Sequence, residues 1–235
     1  MKEGVKRIIA DIEEHNLGPD DKFKFHCTMC GRCCTHRDDI LLTPRDIYNM
    51  SKELGIKPEE LAERFCEIYV GPDSRFPIVR ILPRGNVQRC PMLKNRKCMV
   101  HKAKPTICGM YPLGRGIKIV GEDVSSIKAE DTFFFFPDPG CGDDSQEHTV
   151  REWLGEFGIP VEDVFFVLWQ KTFVMLSNIF QEMEKKTNAE VMTMMWSTTF
   201  HDLYIAYDMG QDFQQQFERN AKKVTDAVNS IFRMI

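Results

Sequence analysis

Apolar positions in this chain follow two periods, one helical and one alternating, and their succession outlines the elements. Val5, Ile8, Ile9 and Ile12 recur at helical spacing and Gly18-Pro19 supplies a stop, so an amphipathic opening helix is expected within residues 1–20. Asp20 to Phe25 reads as extended. Thr43-Pro44-Arg45-Asp46 then has the form of a helix start, with Thr as cap, Pro at the first position and an acid at the third. That helix is expected to run through Ile47, Met50 and Leu54 and to end at Gly55. Another begins near Pro58 and carries Leu61, Phe65 and Tyr69 on one stripe. Phe76 to Leu82 alternates and is β-branched, which predicts a strand whose return partner is Asn86 to Gln88, after a Pro83-Arg84-Gly85 turn. Such a hairpin would deliver Cys90 toward the earlier cysteines. A short strand is expected over Gly116 to Val120, and Phe133 to Phe136 reads as a strand buried on both faces.

From Thr149 onward the pattern is helical almost to the end. Thr149-Val150-Arg151-Glu152 is a capping-box signature, and breaks fall at Gly158-Ile159-Pro160, Lys186-Thr187-Asn188 and Met209-Gly210. The tail should therefore hold a short helix and three longer ones, its Phe, Met and Trp residues forming core. The expected fold class is α+β, in three parts: the opening helix over 1–20, an irregular metal-centred cysteine-cluster domain with a small hairpin and short helices over 21–148, and a helical bundle over 149–235.

Composition narrows the setting. A hydrophobic fraction of 43% is ample for a core without covalent staples. Met1 to Gly18 is charged throughout and does not read as a secretory signal, and no stretch reaches the ~18 uninterrupted apolar residues of a membrane span. A cytoplasmic protein with no membrane partner is expected, in a compartment where clustered thiols hold metals more often than disulfides. The net charge of −4 hides a basic block: residues 71–120 hold eleven Lys or Arg against a single acid, Asp73. These cations could offset the negative charge of a thiolate site or simply lie in solvent. Nucleic-acid binding ranks last, because aromatic residues are barely interleaved there.

The chemistry lies in the cysteines. Cys27, Cys30, Cys33 and Cys34 fall within eight residues, and Cys90, Cys98, Cys108 and Cys141 follow. A two-residue gap lets a tight turn aim two sulfurs at one ion, and Gly31 can take the left-handed backbone such a turn needs. The triplet at i, i+3, i+6 opens like a bacterial ferredoxin run, but Arg37 stands where the fourth cysteine would be. Side chains of the neighbours Cys33 and Cys34 diverge, so either they serve two centres or one is a ligand and the other a buried support. Cys98 and His101 form a Cys-x-x-His pair able to bind zinc, though a lone His in a basic segment is more often not a ligand. Cys66, with no Cys or His nearby in sequence, reads as a small buried hydrophobe.

Together Cys27-x2-Cys30-Gly31-x-Cys33-Cys34, Arg89-Cys90-Pro91-Met92-Leu93, Cys98-x9-Cys108 with Pro105 between, and Tyr111-Pro112 resemble the YkgJ-type cysteine-cluster family. That family is described as zinc- or iron-chelating and includes the flagellin lysine N-methylases. The resemblance covers about Phe25 to Gly142, and Pro139-Gly140-Cys141-Gly142 is similar to one branch of it. It implies a metal-ligand set of Cys27, Cys30, Cys33, Cys34, Cys90, Cys98, Cys108 and Cys141. The family usually has Tyr at His101, Arg at Lys104 and Arg at Gly109, so the surroundings of the site differ here.

The expected function is a metal-binding protein, with an iron–sulfur cluster favoured over zinc, whose C-terminal helices dock a protein partner. A metal-dependent enzyme of methyl transfer or redox type is the alternative. No phosphate-binding glycine loop, nucleotide fingerprint or Ser-His-Asp order supports a particular reaction.

Overall fold

The computed structural model describes residues 16–95, 97–117, 124–137 and 139–235. In chain order its strands are β1 (Asn16–Leu17), β2 (Lys22–His26), β3 (Leu41–Leu42), β4 (Cys66–Val70), β5 (Pro77–Ile81), β6 (Leu93–Lys94), β7 (Lys97–Cys98), β8 (Gly114–Ile117), β9 (Thr132–Phe135) and β10 (Asp143–Thr149). Its α-helices are α1 (Pro44–Leu54), α2 (Pro58–Phe65), α3 (Thr106–Met110), α4 (Val150–Gly155), α5 (Val164–Lys186), α6 (Ala189–Phe200) and α7 (Phe213–Phe232). The fold is α+β. Two compact units divide the chain, one built from residues up to Cys33 together with Thr106–Val164, the other from Cys34–Pro105 with Phe165–Ile235.

In the first unit, β2 pairs antiparallel with β10, and β9 lies between β1 and β8. The alternation Lys22-Phe23-Lys24-Phe25 turns both phenylalanines inward. They meet Met110, Leu113, Phe134, Val150, Trp153 and Leu154 in one core, and the Trp153 indole donates to the Met110 carbonyl at 3.1 Å. Edge-on contacts of Trp153 with Phe23 and Phe25 add about 1 kcal/mol each beyond the area they bury. The phenylalanine run is a strand, as its pattern predicts, but only Phe134 of the four is fully buried. Phe133 and Phe135 lie opposite Gly116 and Gly114 on β8, their rings covering backbone where a side chain would otherwise stand. The strand expected over Gly116 to Val120 is seen at Gly114–Ile117, and 118–120 lie outside the described residues.

The second unit has a three-stranded sheet in the order β3-β5-β4 and a small hairpin, β6-β7. Helix α1 begins as its sequence dictates: the Thr43 hydroxyl accepts from the Asp46 N–H, the Asp46 carboxylate accepts from the Thr43 N–H, and Gly55 closes the helix in left-handed geometry. Ile47 and Met50 are fully buried. Phe76, also fully buried, packs its ring against Trp169, Phe173 and Phe180 of α5. Trp169 in turn meets Tyr204 and Phe217.

The tail follows the expected order of one short and three longer helices, with α4 capped by Thr149 through the predicted box. Residues His201–Ile205, directly after α6, form a π-helical turn. No described helix is long and apolar enough to cross a membrane.

Two expectations are corrected, and a third falls largely outside the described residues. The second helix ends at Phe65, and Tyr69 belongs to β4, where Ile68-Tyr69-Val70 favours extended backbone and pairs with β5. The return partner of β5 is therefore β4, with β3 on its other side, and not residues 86–88. Those residues form a turn closed by the Arg84–Arg89 bridge. The helix read from Val5, Ile8, Ile9 and Ile12 lies outside the described residues, and Asn16–Leu17 near its expected end are strand, paired with Phe135 and Phe134.

Candidate metal centre

The first unit brings distant cysteines to one end of a ladder. His26 pairs with Asp143 across β2 and β10, so Cys27, just after one strand, and Cys141, two residues before the other, emerge together. Positive φ at Met29, Gly31, Gly140 and Gly142 folds both connecting loops tightly. The Cys30 sulfur accepts from the Arg32 backbone N–H, which chiefly holds its thiol below the ordinary range, and it also bonds to Thr28 and Cys141. The Cys141 thiol is pushed up, first by burial and also by negative charge on Cys30 and Cys33, while the Tyr111 hydroxyl acts in the opposite direction. Cys30, Cys33 and Cys141 are thus electrostatic neighbours. Cys108 belongs to the same unit, on α3.

Two side chains hold the loop that presents Cys141. Arg32 Nη1 donates to the Gly140 carbonyl at 2.6 Å, and the Tyr111 hydroxyl donates to the Pro139 carbonyl at 2.6 Å while lying 3.2 Å from Cys141 Sγ. In the sequence Arg32 is only the unnamed position between Gly31 and Cys33, and Tyr111 only part of a family pattern. No local signal predicts that both reach the Cys141 loop.

In the second unit the Cys90 N–H donates to the Cys34 carbonyl at 2.8 Å, and Thr35 bridges Arg89 beside them. Cys90 is delivered to the first cluster's last residue as expected, though by this bridge and not by a β5 hairpin. Cys98 lies opposite Leu93 in the β6-β7 hairpin, and His101 follows in a short 3₁₀ turn. Burial, and after it Lys104, lowers the His101 imidazole below its usual range, which favours the neutral form a metal requires. Cys66 is buried at the start of β4, and burial raises its thiol to about 12. It behaves as the small hydrophobe its sequence context predicts.

Cys33 and Cys34 sit in one 3₁₀ turn, Arg32–Cys34, where successive side chains diverge by about 120°. They fall in different compact units. None of the nine cysteines, all among the described residues, is in a disulfide. Among the described residues, no three His, Cys, Asp or Glu side chains stand at coordinating distance from a common point. The donor set nevertheless fits a thiophilic metal. Cys30 and Cys141 are hydrogen-bonded to each other, N–H and O–H donors reach the Cys30 sulfur, and Cys27 and Cys30 are exposed, so packing does not lock their rotamers.

Clustered thiols with hydrogen-bond donors at the Cys30 sulfur have the chemistry that a metal-chelating site needs. Comparison with known families agrees: residues 26–141 match the model of the CxxCxxCC family, described as a "Putative zinc- or iron-chelating domain", and this stretch of the chain is similar to it. An uncharacterized protein of Methanocaldococcus jannaschii is 29% identical over 90 residues, which cover 37% of this chain and 44% of that protein. The match thus spans less than half of that relative. No solved structure matches.

Proposed function

We propose that the chain is an iron–sulfur protein whose first unit holds a cluster on thiolates that include Cys30, Cys33 and Cys141, with Cys27 and Cys108 the remaining thiols of that unit. The observation that carries this reading is the meeting of Cys30 and Cys33 with Cys141, from opposite ends of the matched domain. The Cys-x-x-Cys-x-x-Cys spacing suits a cluster better than the separated pairs of a structural zinc site. N–H and O–H donors at the sulfurs are the usual means of setting a cluster's potential. In this reading Cys34, Cys90 and Cys98 are the thiols left for a second group in the other unit, and the neighbours Cys33 and Cys34 serve different groups. An iron–sulfur cluster supplies one-electron redox chemistry when bound.

Zinc is the second reading, and Cys98 with His101 favours it, since a neutral imidazole three residues after a thiolate is a zinc-type pair. Iron, zinc and acid-labile sulfide per chain, measured on protein purified without oxygen, decide between them. Iron with matching sulfide and broad visible absorption is expected. Stoichiometric zinc with a featureless visible spectrum would overturn the iron–sulfur reading.

A further inference from the structure

The Tyr111 hydroxyl faces two acceptors of different kinds, the Pro139 carbonyl at 2.6 Å and the Cys141 sulfur at 3.2 Å. A carbonyl can only accept, so the phenol proton lies on the Pro139 side. The contact with sulfur then falls to the Cys141 S–H proton, which is shared between the phenol oxygen and the Cys30 sulfur. A thiol can do this, but a metal-bound thiolate cannot, because binding removes that proton. Left as it stands, the arrangement would set lone pairs of the phenol oxygen against those of the charged sulfur.

We propose that Tyr111 is a positioning residue for Cys141, and that its hydroxyl turns its proton from the Pro139 carbonyl to the sulfur when Cys141 binds metal. This rests on the metal-centre reading above. The S–H proton leaves to solvent, the sulfur–metal bond forms, no electron changes hands, and the phenol C–O bond rotates. Charge favours the exchange, since a hydrogen bond to an ionised acceptor is roughly twice as strong as a neutral one. Pro139 is half-buried, so water can take over its carbonyl. Two contacts keep the geometry while the proton moves. Phe25 meets the Tyr111 ring edge-on at 6.3 Å, and Arg32 still holds the loop through Gly140.

Tyr111→Phe keeps the ring against Phe25 and removes only the hydroxyl. The full chain and this variant are loaded with iron and sulfide and titrated for reduction potential. A second pair is loaded with cobalt(II), whose thiolate charge-transfer band reports the electron density on sulfur. Without the hydrogen bond the sulfur is more electron-rich, so the potential moves to more negative values and the cobalt band to longer wavelength. A residue that merely tethers the loop would alter metal occupancy and leave both readouts where they were. Global replacement of tyrosine by 3-fluorotyrosine, a stronger donor, moves the cobalt band the opposite way and serves if the variant does not fold. Equal potentials and equal bands overturn the inference and leave the metal centre standing. Cys141→Ser binding as much iron and cobalt as the wild type, with the cobalt–thiolate band unchanged in intensity and position, would overturn both.

Discussion

Gly142 lies so close to His26 that a β-carbon added to it would come within 2.6 Å of the His26 carbonyl oxygen and 2.6 Å of the Phe25 ring. Its φ of 74° is itself costly for any other residue. The close approach lets the Cys141 loop run tightly against the end of β2. Gly142→Ala is expected to destabilise the first unit by at least about 2 kcal/mol, since the left-handed backbone alone costs ~1–2 kcal/mol. Thermal melting should show a loss of several degrees. An unchanged melting temperature would mean that the loop does not sit where the structure puts it.

Arg32 ties the cysteine turn to Gly140 through one charged hydrogen bond. Removing a group that orients a metal ligand commonly weakens metal binding by about 10- to 100-fold. Arg32→Ala should accordingly release metal to a chelator faster than the wild type, with the far-ultraviolet circular dichroism unchanged. Equal release rates would assign the contact to loop packing alone.

Cys66 stands apart from the other thiols. Its burial and its raised thiol make it unreactive in the folded chain. Cys66→Ala should leave metal content as it is and cost about 1 kcal/mol, as for other deletions of one buried methyl-sized group. Alkylation of the native protein should spare this residue until denaturant is added. Metal loss in the variant would reassign Cys66 to the site.

Asp202, in the π-helical turn, is buried but paired with Lys223 at 2.8 Å and His201 at 3.0 Å. Burial raises its carboxyl, yet the contacts with Lys223 and His201 outweigh this and the net shift is downward. A folded-state value below the unfolded one means the pair stabilises fully above about pH 4 and loses its effect as pH falls further, through the folded value. Asp202→Asn should be less stable than the wild type at pH 7, and urea melts should show the gap closing below about pH 4. A gap that stays constant with pH would remove the ion pair from the account.

What the sequence reveals and what it hides divide along local and non-local lines. Thr43 and Thr149 announce their helices because a cap and an acid, joined at Thr43 by Pro44, act within four residues. The breaks in the tail are legible for the same reason. β4 is not, because Leu61, Phe65 and Tyr69 fit a helical stripe as well as they fit a helix followed by a strand, and only pairing with β5 decides. The π-helical turn has no sequence signature at all. In the site, the spacing from Cys27 to Cys34 is visible at once as a thiolate motif. That Cys141 meets Cys30 depends on the pairing of β2 with β10, and that Tyr111 and Arg32 serve the same loop depends on contacts made across the domain.

The central claim is that Cys141 shares a metal with Cys30 and Cys33. Metal content and metal-edge X-ray absorption of the wild type and Cys141→Ser test it most directly. A sulfur-only nearest shell is expected in the wild type, with metal lost or one sulfur neighbour replaced by a lighter atom in the variant. Identical spectra and identical metal content in the two proteins would contradict it.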